Sequence, residues 1–225
     1  LVLAFIYFVY NLIRKNQTVL PLNLFAHKSF TASSIGLFLT NAAIMGPMLI
    51  LPLYFQNFRH FTATEAAIAL IPQGIGMLIT RPLIGKMIDK IGPKYVVMVS
   101  LVLSLIGSVP LIFITDKTSM FWITIILFIR GASVGGISLP LTSDAYTGLD
   151  TKQLPEAGVG MNIIENLGSS FGSAVIATVV AATLQGLQPT IANHLKGYHS
   201  GFLLSAIALA VIFIPSLFLT NKKNA

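Results

Sequence analysis

Asn162, Glu165, Ser169 and Gly172 recur at steps of three and four residues within one apolar run. On a helix that spacing puts all four on one face. A polar stripe on a membrane-spanning helix must look onto protein or a water-filled cavity, because lipid satisfies none of its hydrogen bonds. Glu165 is therefore a candidate for exchanging protons or holding a cation. The competing reading is a fixed ion pair with Arg130, near the middle of another apolar run. Insertion scales charge about 2.5–3.5 kcal/mol for a central arginine, so it calls for a partner or for water. The depths of the two residues differ by about 6 Å at 1.5 Å per residue, a gap an arginine stem can bridge. Two readings follow: the pair is permanent, or it forms in one conformation and is exchanged for substrate or proton in another; the residues leave both open. Asn41 and Gln73, near mid-membrane in their own runs, are placed to hydrogen-bond a neighbouring helix or to hold a substrate. Arg81, about four residues from the end of its run, is expected to snorkel to the headgroups.

The elements that must position these groups follow from composition. Of 225 residues, 55% are hydrophobic and 9% charged, with a mean hydropathy of +0.83. Soluble domains carry about 25% charged residues, so this chain cannot clothe a soluble surface. A spanning helix takes about 20 apolar residues, and such runs occur at 30–54, 64–84, 95–115, 120–141, 158–184 and 200–220. The run 1–13 is shorter and is expected to be the inner end of a truncated span, since the chain starts at Leu1 inside an apolar stretch. The expected fold is all-α: one region, 1–29, holding the end of that span and a lead-in, and a second, 30–225, forming a six-helix bundle. Arg14, Lys15, Lys28, Lys86, Lys90, Lys94, Lys152, Lys222 and Lys223 fall on one side of this topology, and Arg59, Lys117 and Lys196 on the other. The excess of bases assigns the first side, and with it the C-terminus, to the cytoplasm. The same scatter among short loops accounts for the net charge of +7 without nucleic acid. Three spans per half, entering from opposite sides, is the arithmetic of an inverted repeat.

There is no Cys, and the four His show no metal-ligand spacing. Neither a thiolate site nor a zinc site is expected, and nothing points to an enzyme. Gly131/Gly135 and Gly168/Gly172 are small-xxx-small pairs suited to close helix packing. Gly46-Pro47 is a possible hinge, 143–157 reads as an uninformative polar cytoplasmic loop, and His194 and His199 as part of an outer loop.

Between the second and third runs lies Gly85-Lys86-Met87-Ile88-Asp89-Lys90-Ile91-Gly92-Pro93-Lys94, a basic, glycine-punctuated link with one acid at its centre. It resembles the cytoplasmic signature loop of the major facilitator superfamily. Further segments are similar to the fourteen-span drug/proton antiporter branch of that family, in order and at its spacing. These are Pro21-Leu22-Asn23-Leu24-Phe25, Leu51-Pro52-Leu53-Tyr54-Phe55-Gln56, Ile71-Pro72-Gln73-Gly74-Ile75-Gly76, Arg130-Gly131-Ala132-Ser133-Val134-Gly135-Gly136 and Asn166-Leu167-Gly168-Ser169-Ser170-Phe171-Gly172. One position departs: the family often has arginine three residues before the first glycine of the last motif, where Glu165 stands here.

The resemblance implies the C-terminal half of a transporter in the plasma membrane, rocking against an N-terminal bundle that belongs to the same protein. It implies export of small lipophilic or cationic compounds, with the proton gradient and no cofactor as the energy source. It also implies a gating part for the link: Asp89 as the acid, Lys86, Lys90 and Lys94 as candidate bases, Gly85 for close helix approach, and Gly92-Pro93 for the turn. A metabolite exporter or symporter on the same fold remains an alternative. A non-transporting seven-span protein is a weaker one, since no mid-span lysine suits a retinal and no His or Asp cluster suits an intramembrane hydrolase.

Overall fold

The computed structural model describes residues 22–186 and 190–219. The expected truncated span at 1–13 lies outside them, as do Arg14, Lys15, Lys222 and Lys223. Six helical spans are long and apolar enough to cross a membrane. They are α1 (Lys28–Arg59), α2 (Ala63–Ile91, interrupted at Leu70), α3 (Pro93–Phe113, its last turn 3-10), α4 (Met120–Ala145), α5 (Leu154–Leu184) and α6 (Ile191–Val211, continued by Phe213–Ser216). The expected number of spans is found, and the chain is an integral membrane protein.

Local chemistry sets the helix ends. His60, at φ 55°, ends α1 in the left-handed region, and the Phe61 amide donates back to the Phe55 carbonyl at 3.1 Å. Two residues later Thr62 opens α2 with a capping box: its hydroxyl accepts from the Glu65 amide, and the Glu65 carboxylate accepts from the Thr62 amide at 2.8 Å. Gly92, at φ 85°, separates α2 from α3, which begins on Pro93. The link 114–119 is tied down at one end of the bundle. The Tyr54 hydroxyl donates to the Thr115 carbonyl at 2.6 Å, Arg59 donates to the Thr118 carbonyl, and His199 Nε2 meets the Ile114 carbonyl at 2.7 Å.

Several expected boundaries move. The helix of α2 runs on through Gly85, Lys86, Asp89 and Lys90 to Ile91, so the expected ten-residue link is a single non-helical residue, Gly92. Lys, Met, Ile and Asp are all compatible with a helix, and a lone glycine does not end one. Residues 191–199 belong to α6, which places His194 and His199 on a helix and not in a loop. Pro47 and Pro52 lie inside an uninterrupted α1, so Gly46-Pro47 is no break here; a Cβ at Gly46 would run into Ile176 of α5 and Ser205 of α6.

The helices pack α2 on α4 and α5 on α1, then α3 on α4 and α6 on α1, with α1 also meeting α4 and α3 meeting α6. Exchanging the first three helices for the last three leaves this scheme unchanged, as an inverted repeat requires. Glycines set the closest approaches. A Cβ on Gly131 would strike the Gln73 carbonyl oxygen, one on Gly76 the Phe128 carbonyl, one on Gly107 the Arg130 backbone at 2.9 Å, and ones on Gly168 and Gly172 the backbone of Phe38 and Ala42. In a bilayer, where apolar side chains gain little by leaving lipid, such backbone approach is a principal source of cohesion. One apolar cluster (Leu37, Leu101, Leu141, Met161, Leu209) fills the end of the bundle near residues 91–94; another (Leu51, Phe55, Leu127, Phe202) fills the opposite end.

Candidate functional site

Between α1, α2, α4 and α5 lies an open cavity of about 830 Å³. The first helix contributes Asn41, Ile44, Met45 and Met48. The second contributes Gln73, Met77, Arg81, Gly85, Ile88 and Asp89, successive turns of one face. The fourth contributes Gly131, Gly135, Ser138 and Thr142, with Tyr146 just past its end, and the fifth Glu165. The cavity thus runs from mid-span, at Asn41 and Gln73, to the end of the bundle where α2 and α4 finish. Three methionines give it an apolar, deformable wall, the kind of surface that adapts to ligands of different shape.

The structure brings together Glu165, Asn41 and Gln73, and adds Asp89 and Gly85 at the mouth. Glu165 is half-buried on the α5 wall, and Ser169 donates to its backbone carbonyl at 2.9 Å. Asn162 is not on the wall: it is exposed and accepts from Asn166 at 2.8 Å. The stripe therefore divides, with Glu165 toward the cavity and Gly172 against α1.

Arg130 is 1% exposed and does not reach Glu165. Its Nε donates to Ser108 Oγ of α3 at 3.3 Å and its Nη1 to Gln73 Oε1 of α2 at 3.5 Å. The expected ion pair is absent among the described residues because Arg130 points between α2 and α3, away from the α5 wall; depth along a helix says nothing about direction around it. Asn41 also departs from the interhelical expectation, since its Nδ2 donates to Leu37 of its own helix at 2.9 Å. Gly135 is looser than its partner Gly131: a Cβ there would sit 3.4 Å from Arg81 Cγ, an ordinary contact.

The gating residues separate as well. Lys94 donates to the Leu217 carbonyl at 2.8 Å, bracing the start of α3 against the end of α6 and not engaging Asp89. Asp89, Lys86 and Lys90 are exposed on the last turns of α2. A Cβ on Gly85 would meet nothing within 4 Å, so none of the described helices makes the close approach expected there.

Two cavity-side features escaped the sequence reading. Arg81 lines the cavity, although its place near a span end suited snorkelling. Asp144, in a stretch that read as an uninformative loop, is 1% exposed within α4 and accepts from Ser33 of α1 at 3.3 Å. Its neighbours along the chain, Ser143 and Tyr146, line the cavity. The four-residue spacing of Ser138, Thr142 and Tyr146 was a readable signal that the polar face of α4 extends past residue 141.

The surroundings of the cavity are uneven. Within the most apolar stretch of each span, 11% of α2 and 17% of α5 is buried, against 44–56% for the other four. These two poorly covered helices are the ones that carry Gln73, Asp89 and Glu165.

Comparison with known proteins adds the family context. A family model described as Major Facilitator Superfamily matches residues 3–173. The uncharacterized MFS-type transporter YcnB of Bacillus subtilis is 26% identical over 225 residues, covering 99% of this chain and 48% of its own length. The lincomycin resistance protein LmrB of Listeria innocua is 25% identical over 225 residues, covering 96% of this chain and 48% of its own. The multidrug resistance protein Stp of Mycobacterium tuberculosis is 25% identical over 183 residues, covering 81% and 33%. The chain spans about half the length of the first two of these relatives.

Proposed function

The chain belongs to the Major Facilitator Superfamily, and from that premise we propose that it is the C-terminal half of a multidrug efflux carrier that exchanges small lipophilic or cationic compounds for protons. The observation that carries this reading is the cavity itself. It has a carboxylate, Glu165, among amides, hydroxyls and methionines, with Arg81 and Asp89 further along α2 on the same wall. A negative group beside apolar, adaptable surface suits a lipophilic cation or a proton in turn. Relatives of similar sequence are named for resistance to lincomycin and to multiple drugs.

In this reading a second, N-terminal bundle covers the open faces of α2 and α5 and closes the fourth side of the cavity. The two bundles rock about it in the plasma membrane, giving access to each side in turn. Asp89, Lys86 and Lys90 then lie on the cytoplasmic face, where contacts with the companion bundle form and break, and Gly85 is bare because that bundle approaches it. The C-terminus is cytoplasmic, as the bases at that end require.

The test uses the full-length protein in proteoliposomes, with ethidium as cargo and an imposed pH gradient. Ethidium accumulation that follows the gradient and stops when a protonophore collapses it is the expected result. Movement that ignores the pH gradient and follows an inward sodium gradient would overturn the proposal in favour of a symporter.

A further inference from the structure

Two amides face the cavity, and each is held by a partner that fixes which end it presents. An arginine can only donate, so the Gln73 atom that meets Arg130 Nη1 is the oxygen. A backbone carbonyl can only accept, so the Asn41 atom that meets Leu37 is the nitrogen. What remains for the cavity is the NH₂ of Gln73, a donor, and the oxygen of Asn41, an acceptor.

The Gln73 arrangement is built in. Gly131 lets the backbone of α2 at Gln73 come against α4, since a Cβ there would occupy the place of the Gln73 carbonyl. That contact sets Gln73 beside Arg130, one residue before Gly131. Gly107 does the same on the other side, letting α3 come so near that a Cβ there would sit 2.9 Å from the Arg130 backbone, with Ser108 holding Nε. Arg130 is thus clamped between two helices, is absent from the cavity wall, and hydrogen-bonds a side chain that lines it, Gln73. A central arginine is costly to bury, and packing alone would be served as well by an apolar residue.

We propose that Arg130 is a positioning residue that locks the Gln73 amide with its NH₂ toward the cavity, so that the carrier selects cations bearing an ester, amide or ether oxygen over equally charged hydrocarbons. The proposal rests on the reading of the cavity as the transport path. It adds that the path discriminates by a hydrogen bond from α2, and not by charge and lipophilicity alone.

The experiment uses the purified full-length protein and two probes of equal charge and chain length: benzoylcholine, and (4-phenylbutyl)trimethylammonium, in which the ester is replaced by two methylenes. Both keep their charge at every pH. Each is measured as a competitor of ethidium binding. Loss of one neutral hydrogen bond is expected to weaken benzoylcholine about five- to tenfold in Gln73→Met, with the hydrocarbon probe unchanged. Arg130→Lys, which keeps the charge but not the planar fork, is expected to shift the ratio of the two affinities in the same direction. A purely structural part for Arg130 would weaken both probes together and leave the ratio as in the wild type. An unchanged ratio in either folded variant overturns the proposal while leaving the cavity reading intact. Wild-type protein that binds ethidium but neither probe overturns the proposal alone; wild-type protein that binds none of the three overturns both.

Discussion

Gly131→Leu is expected to abolish the folded bundle, with little or no monodisperse protein recovered from membranes. The Cβ alone would take the position of the Gln73 carbonyl oxygen, a backbone atom inside α2 that no rotamer change can move. Overpacking of adaptable cores costs about 1–3 kcal/mol. Here α2 and α4 must separate along their whole contact, breaking the approach of Gly76 to Phe128 as well, so the loss falls at or beyond the top of that range. Gly74→Ala is the matched control: it lies on α2 next to Gln73, its Cβ would meet nothing within 4 Å, and alanine gains about 1 kcal/mol over glycine in a helix. Thermal unfolding of the two variants in detergent checks the contrast. Similar melting temperatures would mean that the α2–α4 contact does not hold the bundle together.

Glu165→Gln is expected to cut transport driven by a pH gradient at least tenfold while leaving the protein folded. The substitution is close to isosteric. The hydrogen bond at this position that joins residues of α5, from Ser169, goes to the backbone and survives the change. What disappears is the charge that holds a cation and the group that carries a proton. Counterflow of ethidium, which needs no net proton movement, should fall less than gradient-driven uptake. Initial rates at several pH values in proteoliposomes separate the two. A variant with wild-type coupled rate and wild-type pH profile would remove Glu165 from the coupling step and leave Asp89 as the remaining acid on the cavity wall.

The number of spans was legible because apolar length is a local property, read without knowing the fold. So was the close packing of Gly168 and Gly172, but not the looseness of Gly135, whose spacing from Gly131 is the same. Directions around the helices were not legible. The height of Arg130 above Glu165 came from counting residues. That the two side chains point apart depends on Gly107 and Gly131 drawing α3 and α2 onto α4, which no spacing within α4 reveals. Asp144 reads as a loop acid until Ser33, 111 positions away, is seen beside it. The link 85–94 misled for a different reason: glycine and charge suggest a turn, yet Lys and Met are good helix formers and Ile and Asp are tolerated in a helix, and Gly92 followed by Pro93 makes the break. The bare surroundings of Gly85 and the poor burial of α2 and α5 are legible in neither sequence nor single helices, because they concern what the described residues do not cover.

The most direct measurement is sided labelling of the cavity wall. These residues contain no cysteine, so Ser138→Cys, on a cysteine-free version of the full-length protein, gives one thiol facing the cavity. Val102→Cys gives an exposed control on α3, away from it. A membrane-impermeant maleimide should label position 138 from the cytoplasmic side and, when ethidium and a pH gradient drive turnover, from the outside as well. Position 102 should stay unlabelled from both sides. Equal silence at the two positions would mean that this cavity never holds water, and a transport path through it would be contradicted.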